Sequence, residues 1–493
     1  MSSSSPAFST PQWVHDAIFY QIFPDRFAFS TRLSKPNNLE AWDTPPTPYG
    51  YKGGDLLGVA ERLDYLQDLG INAIYFTPVF QSASNHRYHT HDYFKIDPLL
   101  GGQPAFDTML KEAHRRNIRI VLDGVFNHAS RGFFQFNDIL ENEAASPYLD
   151  WFKVKGFPLN AYWGKPNYEA WVDLAALPQF NHANPQVRRY IFDAARYWID
   201  LGIDGWRLDV PFCIDDDSFW QEFRQVVKSA NSQAYITGEI PADASRWLRG
   251  DQFDGVMNYL LAYACWGFFG GDRLDRNLIG HWQRDDHGGF WIKPGAEAFA
   301  ASVTNLLERY PRPAVLAQLN LLDSHDTARV LSIFRGDREA FKLAETFIYT
   351  YPGAPCIYYG NEIGLEGGQD PDCRRSFPWD ENRWDRELRS YLQKLAVLRK
   401  SHPALRDGDF KVLQAGGDLI VYQRALSAER EIIAINRGEQ SASISLDLSH
   451  ELEGACHLRD LLGGAETQLQ NGRLEVTLPP KSAAVWENIL AGL

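Results

Sequence analysis

The chain has 493 residues, with 49 Lys and Arg against 63 Asp and Glu, a net charge of −14, 44% hydrophobic and 23% charged residues. Such a composition excludes a disordered or fibrous chain, and the acidic balance argues against nucleic acid, whose phosphates demand excess Lys and Arg. The longest apolar stretch, Leu260 to Phe269, is about half of the ~20 residues needed to cross a bilayer, so no membrane partner is expected.

One hydrophobic core stops growing at roughly 250 to 300 residues, so one large domain with smaller attachments is expected. The Ser-rich start, Met1 to Pro11, has neither a basic nor an apolar leader region. Cys213, Cys265, Cys356, Cys373 and Cys456 are scattered and odd in number, which suggests neither a disulfide framework nor a zinc site. A cytoplasmic location is the expectation.

From Ala17 to Tyr359 short apolar runs alternate with amphipathic helical stretches, the pattern of a parallel sheet. The predicted strands are Ala17–Phe23, Asn72–Thr77, Ile118–Leu122, Gly205–Leu208, Ala234–Gly238, Phe253–Met257, Leu316–Leu322 and Cys356–Tyr359. One helix is especially legible: Asn184 is its N-cap, Pro185 its first residue, and Val187, Ile191, Ala194, Trp198 and Ile199 recur at helical spacing. Eight strands with helices between them predict an α/β fold, a (β/α)8 TIM barrel.

The spacing of strand ends also locates an insertion. Asp209 to Glu239 spans 30 residues, an ordinary βα unit, whereas Asp123 to Asp209 spans 86. A small inserted subdomain is therefore expected over 129–183, after strand three, within a barrel of 1–128 and 184–402. Beyond His402, Phe410–Leu413, Leu419–Leu426, Glu431–Asn436, Ala442–Leu448 and Leu474–Trp486 alternate in the manner of strands, predicting an antiparallel C-terminal β-sandwich over 403–493.

Barrel chemistry sits at the C-terminal ends of the strands. There the sequence places Asp123 to His128, Arg207 to Asp209, Gly238 with Glu239, Asp323 to Asp326, and Arg87 to Asp92. A single Asp at such a place is usually a cap or a solvated loop residue. Several converging carboxylates are different, because buried like charges are costly and are kept where their shifted pKa values are used.

These clusters resemble, in order and spacing, the four signature regions of glycoside hydrolase family 13, the α-amylase family. Gly54 to Gly58, Leu177 to Asn181 and Gly360 to Gly364 agree with the family's secondary motifs, and the resemblance spans residues 13 to about 490. Ser84 to Tyr88, Asp251 to Asp254 and Asp370 to Arg375 look like the cyclomaltodextrinase, neopullulanase and maltogenic amylase branch, with a cyanobacterial debranching relative also in view. That branch usually begins with a further β domain that shapes a dimer. Here strand one begins near Ala17, so a monomer, or a dimer made without that domain, is expected.

The resemblance implies a retaining hydrolase of α-glucosidic bonds, α-1,4 and also α-1,6, in maltooligosaccharides, cyclodextrins, pullulan or branched glucans. It makes Asp209 the nucleophile, Glu239 the general acid and base, and Asp326 the residue that holds sugar hydroxyls. Arg207 would keep Asp209 ionised, and the charges of Asp209 and Asp326 would raise the pKa of Glu239. His128 and His325 would donate to a bound glucose, Tyr88 would stack on it, and Asp370 and Arg374 would grip the next sugar.

Departures fall on the acceptor side: Phe212 and Cys213 follow Asp209, and Pro241 and Ala242 follow Glu239, where the branch has Asn, Glu, Trp and His. The alternatives are a debranching enzyme, a glucanotransferase, and an inactive carbohydrate-binding homologue, the last opposed by the intact carboxyl set. No cofactor is required. Asn127 matches a calcium-binding position of many amylases, so calcium stays open without identifiable acidic partners. His86, His89 and His91 read as loop histidines rather than a metal site, since no carboxylate or Cys accompanies them.

Overall fold

The strands of the barrel are buried on both faces, apart from Arg119 at one strand's start, which is why they read as continuous apolar runs. The computed structural model describes residues 8–279, 295–452 and 457–489. Its barrel strands are β1 (Phe19–Ile22), β2 (Ala73–Phe76), β3 (Arg119–Gly124), β4 (Gly205–Leu208), β5 (Tyr235–Gly238), β6 (Gly255–Val256), β7 (Leu319–Leu321) and β8 (Ala354–Tyr358). They pair in parallel in the order β6-β5-β4-β3-β2-β1-β8-β7, and a parallel bridge from Met257 to Leu319 joins the two ends. The sheet therefore closes into the expected barrel.

Five expected strands are shorter than the apolar runs that signalled them, two of them by more than half. Phe253–Met257 pairs in the sheet only at Gly255–Val256, and Leu316–Leu322 only at Leu319–Leu321. In the second case the run begins inside a helical turn, Arg312–Leu316, which carries Pro313 at its start. A short antiparallel hairpin, Phe80–Ser82 with Thr90–Ile96, escapes the sequence pattern because its register slips twice and its alternation is broken.

The helix over Pro185–Asp200 forms as predicted, with Asn184 Oδ1 accepting from the Gln186 amide at 2.8 Å. Val187, Ile191, Ala194, Ala195, Trp198 and Ile199 are its buried stripe. Asn184→Ala should cost ~1 kcal/mol, seen as a lower urea midpoint at unchanged slope. The Gly54 to Gly58 motif also has a local cause: Asp55 caps the turn Leu56–Ala60 by accepting from Gly58 N, and a Cβ on Gly58 would lie 2.5 Å from the Ala28 carbonyl oxygen.

The segment between β3 and the Pro185–Asp200 helix holds one α-helix, Phe134–Asn142, three short 3-10 turns and little regular sheet. An aromatic cluster anchors it: Phe133 meets Phe180 edge-on at 5.4 Å and Tyr190 at 5.5 Å. A bridge from His128 to Gln179 joins its two ends, and one from Phe152 to Phe180 ties its middle to the second end.

The C-terminal region has a six-stranded antiparallel sheet facing a two-stranded one, Ala442–Asp447 with Arg473–Leu478. The expected span Leu474–Trp486 is two strands, Arg473–Leu478 and Ser482–Ile489, parted by Pro479 and Pro480. His457–Asp460 and Glu466–Gln468 are additional strands too short to show a period. Along the long strands alternate residues serve different cores. Leu419, Val421, Ile432 and Ala434 pack within the sandwich, whereas Ile420, Tyr422, Ile433 and Ile435 join the barrel's cluster. At that seam the buried Arg399 donates to the carbonyls of Gly353 and Leu405, and Arg424 to those of Leu405 and Gly408. Among the described residues no helix is long and apolar enough to cross a membrane.

Candidate active site

Asp123 lies in the C-terminal end of β3, Arg207 in β4 with Asp209 just beyond it, Glu239 just after β5, and His325 and Asp326 after β7. Arg207 and Asp209 are two residues apart, so the strand's period of two sends both side chains to the same side. The Phe80–Ser82/Thr90–Ile96 hairpin adds Tyr88 from its connection. That connection is held by Arg87, fully buried in a left-handed conformation (φ 61), which pairs with Asp97 at 3.4 Å.

Arg207 is the hub. Its Nη1 donates to both oxygens of Asp123 at 3.0 and 2.9 Å and to Asp209 Oδ1 at 3.1 Å, and its Nη2 lies 3.0 Å from Glu239 Oε2. The same Glu239 oxygen accepts from the Val210 amide at 3.1 Å. Val210 directly follows Asp209 in a left-handed conformation, φ 37 and ψ 49, which a β-branched residue adopts only when its surroundings impose it. This strained residue ties the two principal carboxyls to each other.

One guanidinium cannot neutralise three buried carboxylates. Burial raises the pKa of Glu239, Arg207 opposes it, and the facing Asp326 carboxylate raises it further. Burial likewise raises Asp209 well above the ordinary range against the pull of Arg207, and pushes Asp123 up to about 6. Burial, which the sequence-based expectation left out, is thus the first cause at each of the three carboxyls, and Arg207 opposes it at each. The cluster holds protons as a unit.

A second network carries the sugar-binding candidates. Gln21 Nε2 donates to His325 Nδ1 at 2.7 Å, which leaves the proton of the neutral ring on Nε2, 2.6 Å from the Tyr88 hydroxyl. Tyr88 in turn donates to Asp123 at 3.0 Å, and Tyr75 donates to the same oxygen at 2.9 Å. Burial first, then Arg374 and Arg207, holds His325 far below its usual pKa, consistent with the neutral form. The Tyr88 ring lies parallel to His325 at 5.6 Å and tilted against His86 at 5.7 Å. Arg374 donates to the His325 carbonyl at 2.9 Å, reaches Asp326 at 3.4 Å, and pairs with Asp370 at 3.0 Å. Asp326, Asp370 and Arg374 are thus brought together.

His128 stands apart from these pairs. Asn127 Nδ2 donates to its Nδ1 at 3.1 Å, its ring stacks on Trp171, and burial pushes its pKa down to about 3. The Asn127 Oδ1 is buried without a hydrogen-bond partner, the atom a cation would use. Calcium takes six to eight oxygens, and among the described residues no group of three or more His, Cys, Asp or Glu is arranged to hold a metal ion. His86 and His89 meet edge to face at 5.1 Å, and burial pushes His89 down to about 4.

Sequence reasoning missed the anchoring role of Asp123, and Tyr75, Gln21 and Val210 altogether. Asp123 was visible as a strand-end carboxylate, and the others lie in apolar runs or beside a motif without any signal of their own.

Residues 21–408 match the alpha amylase catalytic domain and residues 408–486 the alpha-amylase C-terminal domain. The chain is 43% identical to a cyclomaltodextrinase of Geobacillus thermopakistaniensis over 477 residues, 96% of this chain and 77% of that protein. It is 41% identical to neopullulanase 2 of Thermoactinomyces vulgaris over 490 residues, 98% of this chain and 80% of that one. The crystal structure of a debranching enzyme from Nostoc punctiforme superposes with a TM-score of 0.88 at 49% identity, covering 97% of this chain and 99% of that one. A closed barrel, a carboxyl cluster at its C-terminal mouth and a family domain spanning most of the sequence lead to one conclusion: the chain belongs to the α-amylase family, glycoside hydrolase family 13, and is a glycosidase of α-glucosidic bonds.

Proposed function

We propose that the protein hydrolyses α-1,4 bonds, and α-1,6 bonds as well, in maltooligosaccharides and branched glucans, with retention of configuration and a covalent glycosyl-enzyme intermediate. The observation that carries this reading is the grouping of Asp209, Glu239 and Asp123 around the single buried guanidinium of Arg207. Asp209 attacks the anomeric carbon while Glu239 gives its proton to the glycosidic oxygen, and that carbon–oxygen bond breaks. Glu239 then takes a proton from water, whose oxygen displaces Asp209. Asp326, steadied by Arg374, accepts hydrogen bonds from the sugar as its ring flattens. His325 and Tyr88 complete the wall. The chemistry draws on these side chains alone and asks for no cofactor. Cys213, Cys265, Cys356 and Cys373 are all free, which supports a reducing, cytoplasmic setting.

A second reading, α-1,6 debranching as the principal activity, is supported by the end-to-end likeness to the Nostoc enzyme. A panel of β-cyclodextrin, pullulan, amylopectin and maltotriose, with product anomers read by proton NMR, tests both. The first reading expects α-anomers and cleavage of maltotriose. Cleavage confined to pullulan and amylopectin establishes the second, and initial β-anomers or no cleavage at all sinks both.

A further inference from the structure

On the inserted segment's side of the cleft, Trp171 stands between His128, at the end of β3, and Cys213, four residues beyond Asp209. Its ring stacks on His128 with centroids 5.6 Å apart and planes 28° apart. Trp171 and the charges of Asp209 and Glu239 all act on the Cys213 thiol. Gln179 Nε2 donates to the Cys213 carbonyl at 3.4 Å, which fastens the inserted segment to the loop after Asp209.

The turn that presents Trp171 is strained. Val172 and Asp173 both adopt left-handed conformations, φ 43 and φ 59, and neither is glycine. The strain is held in place by Trp171 N donating to the Leu177 carbonyl at 3.0 Å, Leu174 N donating to the Trp171 carbonyl at 2.9 Å, and an ion pair from Lys165 to Asp173 at 3.1 Å. Folds retain such turns where the group they present is used. The turn is apolar and open to solvent, with Val172 68% and Leu174 47% exposed, and Phe212, which precedes Cys213, is 41% exposed.

We propose that Trp171 is a specificity-determining platform for the glucose unit on the leaving-group side of the scissile bond. A half-buried indole offers its face to the C–H surface of a pyranose, and the Cys213 thiol on which it acts also feels the charge of Glu239, the acid that protonates the leaving oxygen. Asp370 and Arg374, by contrast, are joined to Asp326 and grip from the other part of the site. The inference rests on the roles given above to Asp209 and Glu239.

The test compares maltotetraose with α-maltosyl fluoride, whose leaving fluoride places no sugar on the platform. Trp171→Ala should lower kcat/KM on maltotetraose by about tenfold, the scale of one aromatic stacking contact, and on maltosyl fluoride far less. Trp171→Phe should restore most of the loss and keeps the test open should the alanine variant fold poorly. Equal losses on the two substrates would overturn the proposal and make Trp171 a positioning residue for His128. No loss on either would overturn it as well. A wild-type enzyme that turns over neither substrate would instead remove the glycosidase reading beneath it.

Discussion

Replacing Glu239 by Ala is expected to lower kcat/KM on maltotetraose by about 10³-fold, within the range that general acid–base catalysis supplies, while the first turnover of α-maltosyl fluoride falls far less. Fluoride departs without a proton, so only the glycan substrate needs the acid. The second step still needs a base, and the covalent intermediate should accumulate. Azide, which attacks without losing a proton, should relieve it and give the α-maltosyl azide. Asp209→Ala differs in kind: the loss should approach the ~10⁶-fold seen for other missing nucleophiles, and azide should now enter directly and give the β-product. Equal losses of Glu239→Ala on both substrates would remove Glu239 from the acid's role, and matching anomers from the two variants would dissolve the distinction between the carboxyls.

The second large effect belongs to Arg207→Met. Breaking a buried ion pair from one side costs on the order of 3–5 kcal/mol, and here one side chain serves Asp123, Asp209 and Glu239. The sign of the pH dependence follows from the same contacts. Burial raises all three carboxyls and Arg207 is the group that lowers them, so its removal lets them hold protons to still higher pH. An unfolded Asp titrates near 3.8, whereas burial pushes Asp123 up to about 6 in the folded chain. Between those values the folded chain binds the extra proton, and its stability falls as pH rises. In the variant that window extends upward. Thermal melts should show a deficit that is smallest in acid and grows toward neutrality, and any residual activity should have its acidic limb displaced to higher pH. A deficit independent of pH would show that Arg207 matters by packing alone.

The strands were legible because each is a buried apolar run, and the carboxyls because each closes such a run. Which carboxyls share a partner was not legible. Arg207 is two residues from Asp209, so their common side follows from the strand period, but its bond to Asp123 spans 84 residues and exists only because β3 and β4 are neighbours in a closed sheet. Gln21 and His325 are 304 residues apart and meet because closure sets β1 near the loop after β7. Burial was missing from the expected pKa causes for a related reason: a sequence lists charges, whereas desolvation depends on how completely the surrounding loops cover them. Trp171 gave no signal because the inserted segment has no period, and an aromatic residue there looks like core until its neighbours are known.

The C-terminal sheet has a consequence for how the enzyme comes apart. Since Ile420, Tyr422, Ile433, Ile435 and Val485 complete the barrel's own cluster, and Arg399 and Arg424 fasten the carbonyls along the seam, the sheet is the missing flank of the catalytic half. The two halves are bound to a common melting transition. A piece cut free at His402 would lay that apolar face bare, take the Leu405 carbonyl from Arg399, and leave the Thr350 carbonyl without Arg424.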